Sequence, residues 1–196
     1  MRRKAVVAVV AMLLCLSLVA CSAGPKPEET VKAFIDAMGQ AKFEAANAYL
    51  SPESQGTDEI FEPEDANAER LFIALFSRLT YELGEPNISG DSATVSVSIT
   101  APNMAPIVAS VMGEMFGAAL ALAFSEEGPS EELMNEMWIT SFETKIKAAD
   151  APMVTNTVTV KLTKSDGNWV IEADEAFADA LVGNLITAFE DFNFGE

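Results

Sequence analysis

Ala93-Thr94-Val95-Ser96-Val97-Ser98-Ile99-Thr100-Ala101 alternates without a break. Ala93, Val95, Val97 and Ile99 fall on one side of an extended chain, and Thr94, Ser96, Ser98 and Thr100 on the other. A period of two rich in β-branched residues marks a half-buried strand, apolar toward a core and polar toward water. Val154 to Thr163 repeats it, with Val158, Val160 and Leu162 opposed to Thr157, Thr159 and Lys161. Asp166-Gly167 then reads as a hairpin turn, and the return strand sets Trp169, Ile171 and Ala173 on one face. With a loop of Ser165 to Asn168, Leu162 comes opposite Ile171 and Lys161 opposite Glu172. Such cross-strand pairs contribute about 0.2–1 kcal/mol each. Thr80 to Glu85 is a further strand, followed by a turn over Pro86 to Asp91 centred on Gly90-Asp91. The sheet is expected to be antiparallel, with one apolar face for helices to cover, which makes the fold class α+β.

Helices flank these strands. Pro27-Glu28-Glu29 opens the first, since proline suits the first turn and acids suit a helix N-terminus. Val31, Phe34, Ile35 and Met38 follow helical spacing and Gly39 is its stop. Phe43, Ala46, Tyr49 and Leu50 continue as a short second helix ended by Ser51-Pro52. Residues 51–66 read as an acidic loop (Glu53, Asp58, Glu59, Glu62, Glu64, Asp65). Ala68, Leu71, Phe72, Leu75, Phe76 and Leu79 make a third amphipathic helix. Asp174 caps a last helix in which Phe177, Leu181, Leu185 and Phe189 recur every four residues.

A two-helix insertion, about residues 103–149, separates the two parts of the sheet. Met104 to Phe124 carries one charge, Glu114, and Ser130 to Ala149 turns Met134, Met137, Trp138, Phe142 and Ile146 inward. The first segment is long enough to span a bilayer. A mid-helix charge disfavours that by about 2.5–3.5 kcal/mol, and a span would strand Thr155 to Trp169 on the wrong side of the membrane from its pairing partners. A core helix and a partner- or ligand-facing apolar surface are the readings left. On the second, Met112, Met115, Phe116, Leu120 and Phe124 form the binding surface, methionine suiting an adaptable contact.

The N-terminus belongs to export. Arg2, Arg3 and Lys4 precede an uncharged apolar run from Ala5 to Leu16, too short for a comfortable span. Leu18-Val19-Ala20-Cys21 resembles the lipobox of bacterial prolipoproteins. The resemblance implies cleavage between Ala20 and Cys21 and a lipid on the Cys21 thiol. Residues 1–20 are then the signal peptide, 21–27 a lipidated tether, and 28–196 a single α+β domain at the extracytoplasmic face of the cell membrane. The other cysteine, Cys15, leaves with the signal, so the mature chain has neither free thiol nor disulfide. Losing the three N-terminal cations takes the net charge from −18 to −21. That repels nucleic acid and anionic headgroups and keeps an anchored domain soluble.

Four stretches carry a wider resemblance: Glu28-Glu29-Thr30-Val31-Lys32-Ala33-Phe34, Asn47-Ala48-Tyr49-Leu50-Ser51, the Gly90-Asp91 turn before an alternating strand, and Lys164-Ser165-Asp166-Gly167-Asn168-Trp169-Val170-Ile171. Together they resemble a nuclear transport factor 2-like (cystatin-like) domain, as in uncharacterised lipoproteins of Gram-positive bacteria. The likeness spans the mature chain except the insertion. It implies a curved sheet wrapped cone-like around helices, often with a pocket. Its members include enzymes and binding or dimerisation modules, so the fold does not choose between them.

The chain has no histidine, which removes the commonest general base and zinc ligand. No phosphate-binding glycine loop is present, and the acids from Asp58 to Asp65 lack regular calcium-loop spacing. No catalytic residue, cofactor or metal ligand is assigned. The expectation is a non-enzymatic module binding a small apolar ligand or a protein partner. The alternative is a carboxylate-dependent isomerase- or hydrolase-like enzyme in the cone pocket, with Tyr49 and Tyr81 as the only tyrosines.

Overall fold

The computed structural model describes residues 24–55, 65–123 and 130–191. Ala20, Cys21 and the bulk of the acidic stretch 56–64 lie outside them. The elements follow in the order α1 (Pro27–Gly39), α2 (Phe43–Asn47), α3 (Pro52–Gln55), α4 (Ala66–Phe76), β1 (Thr80–Leu83), β2 (Asn87–Ser89), β3 (Ser92–Pro102), α5 (Met104–Leu122), α6 (Glu131–Lys147), β4 (Met153–Ser165), β5 (Asn168–Glu172), α7 (Glu175–Leu181) and α8 (Leu185–Asp191).

The alternation of residues 93–101 becomes the centre of an open, five-stranded antiparallel sheet of order β1-β3-β4-β5. β3 and β4 pair along eleven residues, from Ser92↔Thr163 to Pro102↔Met153. The hairpin register follows the sequence: Leu162 faces Ile171 and Lys161 faces Glu172. Asp166 and Gly167 both take positive φ, 51° and 85°, the primed turn whose twist matches the flanking strands. Gly24 rests against Gly167 and Asn168 at this turn. The stretch from Pro86 to Asp91 differs from expectation. Asn87–Ser89 pairs with Ser92–Thr94 and narrows the turn to Gly90-Asp91.

Ala93, Val95, Val97, Ile99 and Ala101 are all buried. α1, α4 and α7 cover that face of the sheet. Phe34 of α1 meets Phe177 of α7 with ring centroids 5.6 Å apart, and Ile35, Met38, Leu162, Ile171 and Leu181 complete the layer. The space between sheet and helices is therefore filled by side chains. The opposite face carries hydroxyls joined rung by rung, Ser98 to Thr157 at 2.8 Å and Thr100 to Thr155 at 2.7 Å.

Two helical expectations are corrected. The loop expected from residue 51 begins with the short helix α3, whose buried Ser54 hydroxyl accepts from the Ala173 amide at 3.0 Å and ties it to the end of β5. The single C-terminal helix is two. Asp174 caps α7 by accepting from the Phe177 amide, but Gly183 and Asn184 both have φ of 63°. The Gly183 carbonyl accepts from the Met104 amide at 2.8 Å. The Asn184 side chain accepts from Asn156 at 2.7 Å. Asp179 then caps α8 through the Ile186 and Thr187 amides. The every-fourth-residue pattern carries across the break, which is why it reads as one helix.

Candidate functional site

Four segments distant in sequence converge on an apolar cleft. Asp65 caps α4 by accepting from the Asn67 and Ala68 amides, and the helix then presents Ala68, Leu71, Phe72 and Leu75, the i, i+3, i+4, i+7 stripe of one face. α6 contributes Phe142 and Ile146, α8 contributes Leu185 and Phe189, and Met104 closes the inner end. They enclose about 250 Å³. Among the described residues no polar side chain lines it.

The walls are held by contacts outside the cleft. Arg70 of α4 donates to Glu143 of α6 at 2.8 Å and lies 3.6 Å from Glu136. Lys147 and Arg70 together hold the Glu143 carboxyl below the usual range. Arg78 donates to the Ala148 and Ile146 carbonyls at 2.6 and 3.4 Å, closing the C-terminus of α6. Behind the cleft, Phe72 stacks on Phe76, and Trp138 stacks on Phe142 at 5.7 Å. The described lining therefore offers dispersion and removal from water.

Three other hollows are roomier. One, about 590 Å³, lies over β4 beside α7 and α8; a second, about 430 Å³, follows the seam of α5 and α6; a third, about 400 Å³, lies on the hydroxyl face of β1, β3 and β4, where Thr100 and Thr155 already bond to each other. Their polar linings largely bond to one another: Asn156 with Asn184 and Thr187 with Asp179 in the first, and Glu114 with Ser141 and Lys145 in the second. They present already satisfied groups to a ligand, which is why the smaller apolar cleft is the better candidate.

The apolar surface expected on α5 is divided. Met112, Phe116 and Leu120 are exposed, Phe116 by 74%. Met115, grouped with them, is a correction: it is 7% exposed and packs with Met104, Ile107 and Val111 in the core. Phe124 lies outside the described residues. α5 is long and apolar enough to cross a membrane, with 22% of its most apolar stretch buried. It leaves β3 and returns through the charged α6 to β4, which pairs with β3 throughout.

The enzyme alternative calls for a desolvated acid of raised pKa in a pocket. Asp36, Glu114 and Glu143, the described acids with displaced pKa, are all lowered. Tyr81 donates to Asp36 at 2.6 Å while Lys32 pairs with the same carboxyl. Lys32 first and Tyr81 second stabilise the Asp36 anion, and burial is the main cause that pushes the Tyr81 hydroxyl up. The trio fastens edge strand β1 to α1. Among the described residues no group of three or more acids is placed to hold a metal ion.

No protein family model matches the chain, and no curated protein matches it. A solved structure, that of a candidate lipoprotein (ycdA) from Bacillus subtilis, is similar at 14% sequence identity and a TM-score of 0.45. The likeness covers 71% of this chain and 43% of that one, so the chain spans less than half the length of its structural neighbour.

Proposed function

We propose that the chain is a lipoprotein held at the extracytoplasmic face of the membrane through Cys21, whose domain binds a small apolar ligand in the cleft of α4, α6 and α8. The observation that carries the ligand reading is the apolar lining that the described residues give a 250 Å³ cleft. An apolar cavity of about 150 Å³ takes benzene. By that scale this one takes about ten carbon atoms, a terpene-sized molecule or the end of an acyl chain. The lipoprotein reading is carried by Leu18-Val19-Ala20-Cys21 behind a positive start and a short apolar run. We read the domain as nuclear transport factor 2-like from the order of its elements and its turn-Trp strand. Its ligand then sits between helices rather than in the filled cone.

Trp138 stacks on the cleft residue Phe142 and supplies the assay. Titration of the full chain with decanol should change Trp138 emission and saturate. Ala68→Phe, which fills the cleft, should abolish the change while leaving the fold intact. Saturable binding that survives Ala68→Phe, or none in the parent chain, refutes the site. Lipidation is tested separately by labelling cells with a palmitate analogue. Label lost in Cys21→Ala is expected, and an unlabelled parent chain refutes the anchor.

A further inference from the structure

The distal turns of α5 present a face that the described fold does not cover. Met112, Phe116 and Leu120 form an exposed ridge at four-residue spacing. Beside it Gly113, Gly117 and Ala121, also exposed, form a parallel furrow. The single charge of the helix lies off the ridge: Glu114 is about 160° around the axis from Phe116, flanks the furrow at Gly117, and bonds to Lys145 and Ser141 of α6. A Cβ added at Gly113 or Gly117 would meet nothing within 4 Å. Glycine in a helix interior is unfavourable relative to alanine, and no contact among the described residues accounts for two of them there. A second helix lying across the furrow would.

We propose that this face of α5 docks a second copy of itself. Ridges and furrows of four-residue spacing interlock when two helices cross at about −50°, and one face supplying both ridge and furrow is the self-complementarity that a two-fold interface demands. The three ridge side chains expose on the order of 300 Å². With the flanking Gly and Ala surface, each copy offers about 500 Å², so a pair buries about 1000 Å², the lower edge of specific interfaces. The dimer is therefore of modest strength. No charge needs to be buried, while the net charge of −18 on each chain opposes approach over about a Debye length. Added salt accordingly strengthens this contact, whereas it weakens the capture of a cationic partner. The inference depends neither on the cleft nor on a lipid at Cys21.

The test is thiol crosslinking of the full chain in membranes from producing cells. Leu120→Cys serves as reporter with a short bismaleimide, and the parent chain, whose own thiols are Cys15 and Cys21, sets the blank. A reporter-dependent, dimer-sized band is expected. It should rise with salt and fall roughly tenfold in the same chain carrying Gly113→Leu and Gly117→Leu, which fill the furrow at positions where an added Cβ meets none of the described residues. Gly113→Ala with Gly117→Ala should weaken it less. No band, a band indifferent to the Leu pair, a band that fades with salt, or crosslinks to other proteins only would overturn the proposal.

Discussion

Gly183→Ala is expected to be among the most damaging single methyl additions in the chain. Gly183 has a φ of 63°, a region that costs a residue with a Cβ about 1–2 kcal/mol. The new methyl would also fall inside the Pro102 carbonyl oxygen. Both partners are backbone, so no rotamer change relieves the overlap, and the α7–α8 joint must move off the end of β3. That motion breaks the bond from the Met104 amide to the Gly183 carbonyl, worth about 0.5–1.5 kcal/mol. It also loosens Met104 and Leu185, the inner and outer walls of the cleft. These two costs alone come to about 1.5–3.5 kcal/mol, and the overlap adds to them, against a domain's usual 5–15 kcal/mol. Asn184→Gly is the control: it relaxes the neighbouring positive φ while losing the bond to Asn156, for a net change within about 1 kcal/mol. Urea unfolding by circular dichroism reads both, and hydrogen exchange at Met104 locates the damage. A Gly183→Ala chain within about 0.5 kcal/mol of the parent refutes the reasoning.

Arg78→Met should remove the donor to the Ala148 and Ile146 carbonyls and destabilise by about 1.5–3 kcal/mol. Faster hydrogen exchange confined to the last turn of α6 would confirm the location, and an unchanged unfolding midpoint would refute it. Asp36, lowered from 3.8 chiefly by Lys32 and then by Tyr81, favours the folded state while ionised. Its contribution is present above pH 3.8 and is lost as the pH falls through the lower folded value. Asp36→Asn should therefore flatten the acid side of the stability profile, and a profile of unchanged slope below pH 4 would rule this out. Leu162→Ala, at a fully buried position facing Ile171, should cost about 2–5 kcal/mol in urea unfolding. Thr159→Ala on the hydroxyl face should shift the midpoint little, and equal losses at both would contradict the one-sided sheet.

The sheet was legible because its information is local. Val95, Val97 and Ile99 alternate with hydroxyls over nine residues, and Asp166-Gly167 fixes both turn and register. The helices were legible as apolar stripes, and their covered face follows from the sheet's. What stayed hidden depends on distant partners. Leu181 and Leu185 keep helical spacing, yet the chain turns between them, where Asn156 and Met104 donate hydrogen bonds to Asn184 and Gly183. Met112 and Met115 look alike in sequence, but only the three-dimensional course of α5 turns Met115 into the core. The cleft has no sequence signature, since Leu71, Met104, Ile146 and Leu185 come from separate elements whose stripes each read as ordinary core.

The contact of Gly24 with the Asp166-Gly167 turn sets a scale for the whole assembly. Only Ser22 and Ala23 separate Gly24 from Cys21, a fully stretched reach of about 10 Å. β3 runs from the same end to the root of α5, about 33 Å away. On the proposed anchor, a thioether at position 21 would tether the hairpin turns within about 10 Å of the bilayer surface and leave the insertion at the far end of the strands, with the strands as the mast. Height above the bilayer would then be a property of strand length: removing one facing pair of dipeptides from β3 and β4 would lower the masthead by about 7 Å and leave the mooring untouched.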